Sequence, residues 1–192
     1  MNVHIVNSCQ IFDRKFQYGE KILIDRSNEQ ESLTEFLSAI YREMKLDYPK
    51  FFKMDLLCKA GFLASEALTN RNFDKTTQKA DMGLILFNSV SSIDTDEKYQ
   101  QTIRKEECFP SPALFVYTLP NIVTGELAIR NKILGESMFY VLEKYDLDRI
   151  MEIITDTFND STLCSALCGW LDVAYEKANV HMFLVERNRL FR

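Results

Sequence analysis

The sequence predicts an α/β protein in which a mixed sheet of roughly five strands carries helices on its faces. Two observations predict the class. Short apolar runs of strand length alternate with longer segments whose apolar residues recur every three or four positions, and two strand-like runs then follow one another near the carboxyl end, giving the sheet an antiparallel edge. A third observation bounds the organisation: 192 residues without an internal repeat, low-complexity tract or evident linker make residues 1–192 a single domain. A chain of that size buries about 70% of its unfolded surface and sustains its own core.

Residues 3–6, bounded by Asn7 and Ser8, read as a first strand and residues 22–24 as a short second one. From Ser32 the period changes. Leu33, Phe36, Leu37, Ile40, Tyr41 and Met44 form one stripe behind the capping-box signature Ser32-Leu-Thr-Glu35, and this helix ends near Tyr48-Pro49. Residues 51–68 leave only a narrow polar face of Lys53, Lys59 and Glu66, so they form a largely buried helix. Residues 83–87 are a continuous apolar run suited to a sheet covered on both faces. The Ser- and Asp-rich residues 88–96 after it read as a loop at the strand's carboxyl end, where α/β proteins place ligands. Residues 138–142 are another short strand, and Leu147, Ile150, Met151, Ile154 and Phe158 mark an amphipathic helix capped by Asp146. Residues 162–170 and 180–185 close the chain as two strands joined by residues 171–179.

Backbone constraint concentrates in residues 109–135, which hold three of the four prolines and two of the six glycines. Residues 114–118 are a short apolar, partly β-branched run. Pro120 pushes Leu119 toward an extended conformation and lets a helix begin only after it, with Asn121 as N-cap. Ile122, Leu127, Ile129, Ile133 and Leu134 recur at helical intervals, and Gly135 stands where a left-handed C-cap would. Gly125 falls inside that helix at a cost of about 1 kcal/mol relative to Ala. It is either a tolerated weakness or a point of close approach by another backbone. Pro120, Asn121, Gly125 and Gly135 are thus the structural residues of the segment.

A net charge of −5 and a pI near 5.2 argue against nucleic-acid binding, since neutralising phosphates needs clustered Lys and Arg. Only the tail of Arg187, Arg189 and Arg192 is locally basic, and it reads as a solvated terminus. The five cysteines, Cys9, Cys58, Cys108, Cys164 and Cys168, are odd in number and spread out, as expected of buried reduced thiols in a reducing cytoplasm. No basic leader opens the sequence and no apolar run approaches the ~20 residues of a membrane span. His4 and His181 are the only histidines, both in strands at opposite ends of the chain, where a hydrogen-bonded or surface role is the better account. Cys164 and Cys168 lack the second pair a zinc site needs. Asp94, Asp96 and Glu97 read as a solvated acidic loop rather than a cation site. No GxGxxG, Walker A, GxSxG or HExxH occurs, so no catalytic residue, cofactor site or metal site is expected.

Taken in order, Lys53-Met-Asp55, Asp81-Met-Gly-Leu-Ile-Leu-Phe87, Ser91-Ser-Ile-Asp94, Pro110-Ser-Pro112 and Thr118-Leu-Pro-Asn121 through Gly125 to Gly135 resemble the amino-terminal half of a β-ketoacyl synthase of the thiolase fold. The likeness is greatest to the shortened, chain-length-factor-like members. Residues 162–173 resemble the synthase strand with an Ala-Asp-type entry and a Gly-Gly-type exit, and the resemblance runs in short blocks over residues 1–186. It implies one half of a thiolase-like fold. In condensing enzymes the strand after the Gly135 position leads, about nine residues on, to a nucleophilic Cys; here Glu143-Lys-Tyr-Asp146 follows, without Cys, Ser or Thr. The His pair, or His and Asn, of the family's carboxyl-terminal half has no counterpart, so condensation activity does not carry over.

The resemblance implies a non-catalytic accessory subunit that pairs with a ketosynthase and an acyl carrier protein in fatty-acid or polyene type biosynthesis. Two alternatives are a thioester hydrolase or acyltransferase using Cys108 or Cys164, and a homo-oligomeric scaffold. A missing half also implies that the apolar helix of residues 51–68 needs cover from a partner. In the resembled synthases the strand before the nucleophile pairs antiparallel with its copy across a dimer axis. Met138, Phe139, Tyr140, Val141 and Leu142 take that place here, without charge, Pro or Gly to blunt an edge, and are the interface candidates, to a ketosynthase or to self. The alternative is that residues 162–170 or a loop covers the strand. Tyr140→Pro is expected to remove an edge donor and break the dimer, with Lys75→Pro as a neutral control.

Overall fold

The computed structural model describes residues 3–69, 73–103 and 110–188. Strands β1 (Val3–Phe12), β2 (Lys15–Tyr18) and β3 (Lys21–Asp25) form an antiparallel meander. Its first turn sets Asp13 and Arg14 at φ 45° and 56°, a left-handed pair that matches the twist of the flanking strands. Helix α1 (Leu33–Glu43) begins at the expected capping box, with Ser32 Oγ accepting from Glu35 N at 3.2 Å and the Glu35 carboxylate accepting from Ser32 N at 2.8 Å. The expected single helix over residues 51–68 is two pieces, a 3-10 turn at Pro49–Lys53 and α2 (Leu56–Leu68). The break falls at Asp55, whose carboxylate caps α2 by accepting from Cys58 N at 2.8 Å.

Every residue of β4 (Met82–Asn88) is buried, as its unbroken apolar run requires. The loop expected at residues 88–96 gives way to helix α3 (Ile93–Ile103), which is polar all round with only Thr95 buried and so shows no apolar stripe. A helix also precedes Pro120, contrary to expectation: α4 (Pro112–Val116) starts on Ser111 as N-cap with Pro112 at the first position, where its missing N–H costs nothing. Then come α5 (Ile122–Asn131), β5 (Ser137–Val141), α6 (Leu147–Asp160), β6 (Ser165–Ala174) and β7 (Lys177–Arg187). Asp146 caps α6, accepting from Arg149 N at 3.1 Å. The connection expected over residues 171–179 shrinks to Tyr175 and Glu176, both at positive φ, so β6 and β7 form a long hairpin.

The seven strands run in the order β3-β2-β1-β7-β6-β4-β5. Only β6-β4 and β4-β5 are parallel, so the antiparallel part is most of the sheet rather than its edge. Helices α1, α2 and α5 cover one face over a core that includes Phe36, Phe51, Phe62, Leu63 and Leu127. The apolar α2 therefore finds its cover within this chain, in α1, α5 and the sheet, and needs none from a partner. On the other face Ile150, Ile154 and Phe158 of α6 pack on Ile85, Phe87, Trp170 and Phe183. The outward side of α6 is charged, with Asp148, Arg149, Glu152 and Asp156 exposed.

Candidate functional site

β5 ends the sheet, and among the described residues no strand pairs with its outer side, neither residues 162–170 nor any other. Its placement follows from the turn before it. The C-cap of α5 is Lys132, left-handed at φ 58°, rather than the expected Gly135. Gly135 has a different role: its N–H donates to Met82 O at 3.1 Å, and a Cβ there would stand 2.8 Å from the Met82 carbonyl carbon. The close backbone approach weighed for Gly125 belongs to Gly135, since a Cβ on Gly125 would meet nothing within 4 Å. Asn121 holds the N-cap position of α5 without a side-chain cap bond, and Pro120 O accepts from Val123 N at 3.4 Å in that first turn.

Successive residues of a strand turn their backbone groups to opposite sides. Glu136 O accepts from Leu84 N at 2.8 Å and Leu142 N donates to Asn88 O at 2.8 Å, so the alternate residues Met138 and Tyr140 also face β4. Ser137, Phe139 and Val141 present their N–H and C=O groups outward. Proline at Tyr140 would therefore break the internal ladder, and the outward donors of the edge are those of Ser137, Phe139 and Val141. Lys75 is no neutral control either, because its Nζ lies 2.6 Å from the buried Glu66 carboxylate. The side chains fix the strand from both faces: Phe139 packs into the α5 core, while Tyr140 stacks on Phe87 at 5.3 Å and joins the α6 core with Leu142. Val141 is left 54% exposed.

A second feature lies at the carboxyl end of β6, an open cavity of about 650 Å³ lined by Gln10, Phe12, Val90, Asp172, Lys177 and Asn179, among others. Asp172 holds the turn after β4, accepting from Ser89 N at 2.7 Å and Ser89 Oγ at 2.8 Å. Two cross-strand rows on from Asp172, His181 sits between Gln10 and Trp170, and the segment leaving β5 meets it through the Tyr145 hydroxyl, 3.3 Å from His181 Nδ1. Burial lowers the His181 pKa. His4 lies six positions away along β1, hydrogen-bonded to Asn188, so the two histidines are not brought together. Residues 143–146, Glu-Lys-Tyr-Asp, supply no thiol or aliphatic hydroxyl at the start of α6.

Cys9, Cys58 and Cys168 are buried, and burial pushes their thiols well above the ordinary value, helped at Cys58 by the nearby Asp55 carboxylate. Cys164 is exposed, against the expectation of burial, because it precedes β6 and lies outside the core. Cys108, Arg189 and Arg192 lie outside the described residues. Asp94 and Glu97 belong to the first turns of α3, where they accept from Tyr175 N at 3.0 Å and the Tyr175 hydroxyl at 3.1 Å. Among the described residues no group of three or more His, Cys, Asp or Glu could hold a metal ion. No helix among them is long and apolar enough to cross a membrane.

Two buried acids anchor α5, Glu66 to α2 and Glu126 to the 3-10 turn and the end of α4. Glu66 is held by Arg130 Nε at 2.8 Å and Lys75, and Glu126 by Lys50 at 2.7 Å and the Tyr117 hydroxyl at 3.3 Å. These partners are up to 76 positions apart, so no spacing rule in the sequence reveals them.

No family model and no curated protein matches the chain. Solved structures do. The ishigamide ketosynthase/chain length factor superposes with a TM-score of 0.69 at 12% identity, covering 97% of this chain and 62% of that one. The fold is that of ketosynthases and their chain length factors. A ketosynthase in complex with its chain length factor from Xenorhabdus doucetiae gives 0.61 at 12% identity over 98% of this chain and 80% of that one. A type II polyketide-synthase acyl carrier protein in complex with its ketosynthase gives 0.57 at 12% identity over 96% and 62%. This chain thus spans about three fifths of the length of two of these structures. Its mixed sheet with helices on both faces is the thiolase-like layer that the sequence blocks implied.

Proposed function

We propose that this chain is a non-catalytic, ketosynthase-like accessory subunit, a single cytoplasmic domain that pairs with a ketosynthase along β5. With an acyl carrier protein, the pair serves a fatty-acid or polyene type pathway. The observation that carries the proposal is the outer edge of β5, uncharged and unpaired among the described residues, on a fold shared with a chain length factor that is in complex with its ketosynthase. An exposed edge of this kind invites aggregation unless a strand occupies it in the working state. Two further features support the reading. Residues 143–146 offer no nucleophile at the start of α6, and the Tyr145 hydroxyl there is engaged with His181. Burial opposes thiolate formation at Cys9, Cys58 and Cys168, so the thiol-enzyme alternative stays confined to the two cysteines it names, Cys108 and the exposed Cys164.

Co-expression with a tagged ketosynthase encoded beside this chain tests the proposal. A one-to-one complex is expected. A chain recovered alone beside every ketosynthase of its cell would refute it.

A further inference from the structure

The sheet face that carries α6 continues past the helix into the open cavity at the carboxyl end of β6. Alternate residues of a strand share a face, so Gln10 and Phe12 of β1, Lys177 and Asn179 of β7 and Asp172 and Ala174 of β6 lie on the same side as Trp170 and Phe183, which α6 covers. They floor the cavity. Its volume of about 650 Å³ falls within the about 300–1,000 Å³ typical of small-molecule sites. One end is closed by bonds of its own: the Arg14 guanidinium donates to Glu176 O at 2.9 Å and to Glu31 O at 3.3 Å, and the Glu176 carboxylate accepts from Leu33 N at 2.5 Å. The floor is not closed in this way. Among the described residues the side chains of Gln10, Lys177 and Asn179 have no hydrogen-bond or ion-pair partner, and the Asp172 carboxylate, though held by Ser89, has no cationic one.

The strand register orders these groups. Asp172, Asn179 and Phe12 stand side by side in one row, and Lys177 lies two residues along β7, opposite Ala174. Asn179 is thus ~5 Å from Asp172 across the strands and ~7 Å from Lys177 along its own, measured between Cβ atoms. It stands beside both charges. We propose that the cavity binds a free α-amino acid with an apolar side chain. Its ammonium meets Asp172, whose two oxygens each keep a lone pair after the bonds from Ser89, and its carboxylate meets Lys177. The Asn179 amide, donor and acceptor at once, serves both, and Phe12 completes the row as an apolar wall for the side chain. A ligand of one charge fits less well. An anion alone is opposed by Asp172 and a cation alone by Lys177, whereas a zwitterion pairs both. β4 separates β6 from β5, so this inference goes beyond the strand pairing proposed above and does not depend on it.

Isothermal titration calorimetry of the full chain with L-leucine, isocaproate and isoamylamine tests the proposal, since the second probe lacks the ammonium and the third the carboxylate. Leucine should bind with a Kd below about 1 mM, and each one-charge analogue about 10-fold or more weaker. Lys177→Met, at an exposed position, and Asp172→Asn should each weaken leucine binding about 10-fold or more with wild-type circular dichroism. If Asp172→Asn disturbs the Ser89 turn, Lys177→Met decides. A leucine Kd above that bound, analogues that bind as tightly as leucine, or a folded Lys177→Met that binds it at the wild-type level would each overturn the proposal.

Discussion

Arg130→Ala removes the main tie between α5 and α2, and its cost can be worked from the contacts. The Glu66 side chain is only 4% exposed. Burial alone would raise its carboxyl pKa, but hydrogen bonds from Arg130 and Lys75 outweigh that and hold it below the ordinary carboxylate value. Arg130 also lies over the Tyr48 ring at 4.8 Å and the Phe62 ring at 5.8 Å. Hydrogen bonds to a charged group contribute about 1.5–3 kcal/mol and each ring contact about 0.5–1 kcal/mol, a gross loss of ~3–5 kcal/mol. Lys75 remains to pair with Glu66, and the Arg130 side chain is 22% exposed, so screening reduces the net to ~2–3 kcal/mol. The pH dependence has a definite sign. In the wild type the depressed carboxyl contributes stability that is present above its unfolded pKa, ~4.3, and is lost as pH falls through the folded value. In Arg130→Ala burial is less opposed and the carboxyl rises, so the deficit is full at pH 7 and shrinks below about pH 4.5. Urea unfolding at pH 7 and pH 4 measures both. A deficit under about 0.5 kcal/mol at pH 7, or one that grows on acidification, would refute the reasoning.

Two other outcomes are expected. Gly135→Ala drives a Cβ against the Met82 carbonyl and Leu163 Cδ2 and destabilises by about 1–3 kcal/mol, read as a melting temperature lower by about 3–10 °C; an unchanged melt contradicts the close approach. Iodoacetamide at neutral pH labels Cys164 in the folded chain long before Cys9, Cys58 or Cys168, as peptide mapping will show; fast labelling of a buried thiol contradicts the packing.

The α/β class, the capping box at Ser32, the buried β4, the Asp146 cap and the β5 strand were legible because each rests on local chemistry or an unbroken apolar run. Helix α3 was not, since a helix polar all round carries no periodic signal. Helix α4 had one, Ser111 followed by Pro112, which the apolar run at residues 114–118 outweighed. The glycines were legible as special but not in role: only the fold shows that β4 passes under Gly135 and that Gly125 faces open space. Of the candidate site, the identity of the edge strand could be read ahead. The direction of its backbone groups could not, because it depends on the register with β4 that Leu142 and Asn88 set.

The central claim is that β5 accepts a strand from a ketosynthase. Val141→Pro tests it most directly, because it deletes an outward N–H while the bonds of Tyr140 and Leu142 to β4 remain. Co-purification with the tagged ketosynthase should fall at least about 10-fold relative to wild type, a loss of ~1.4 kcal/mol or more in binding, with the fold intact by circular dichroism. Recovery of the folded variant at the wild-type level would contradict the account.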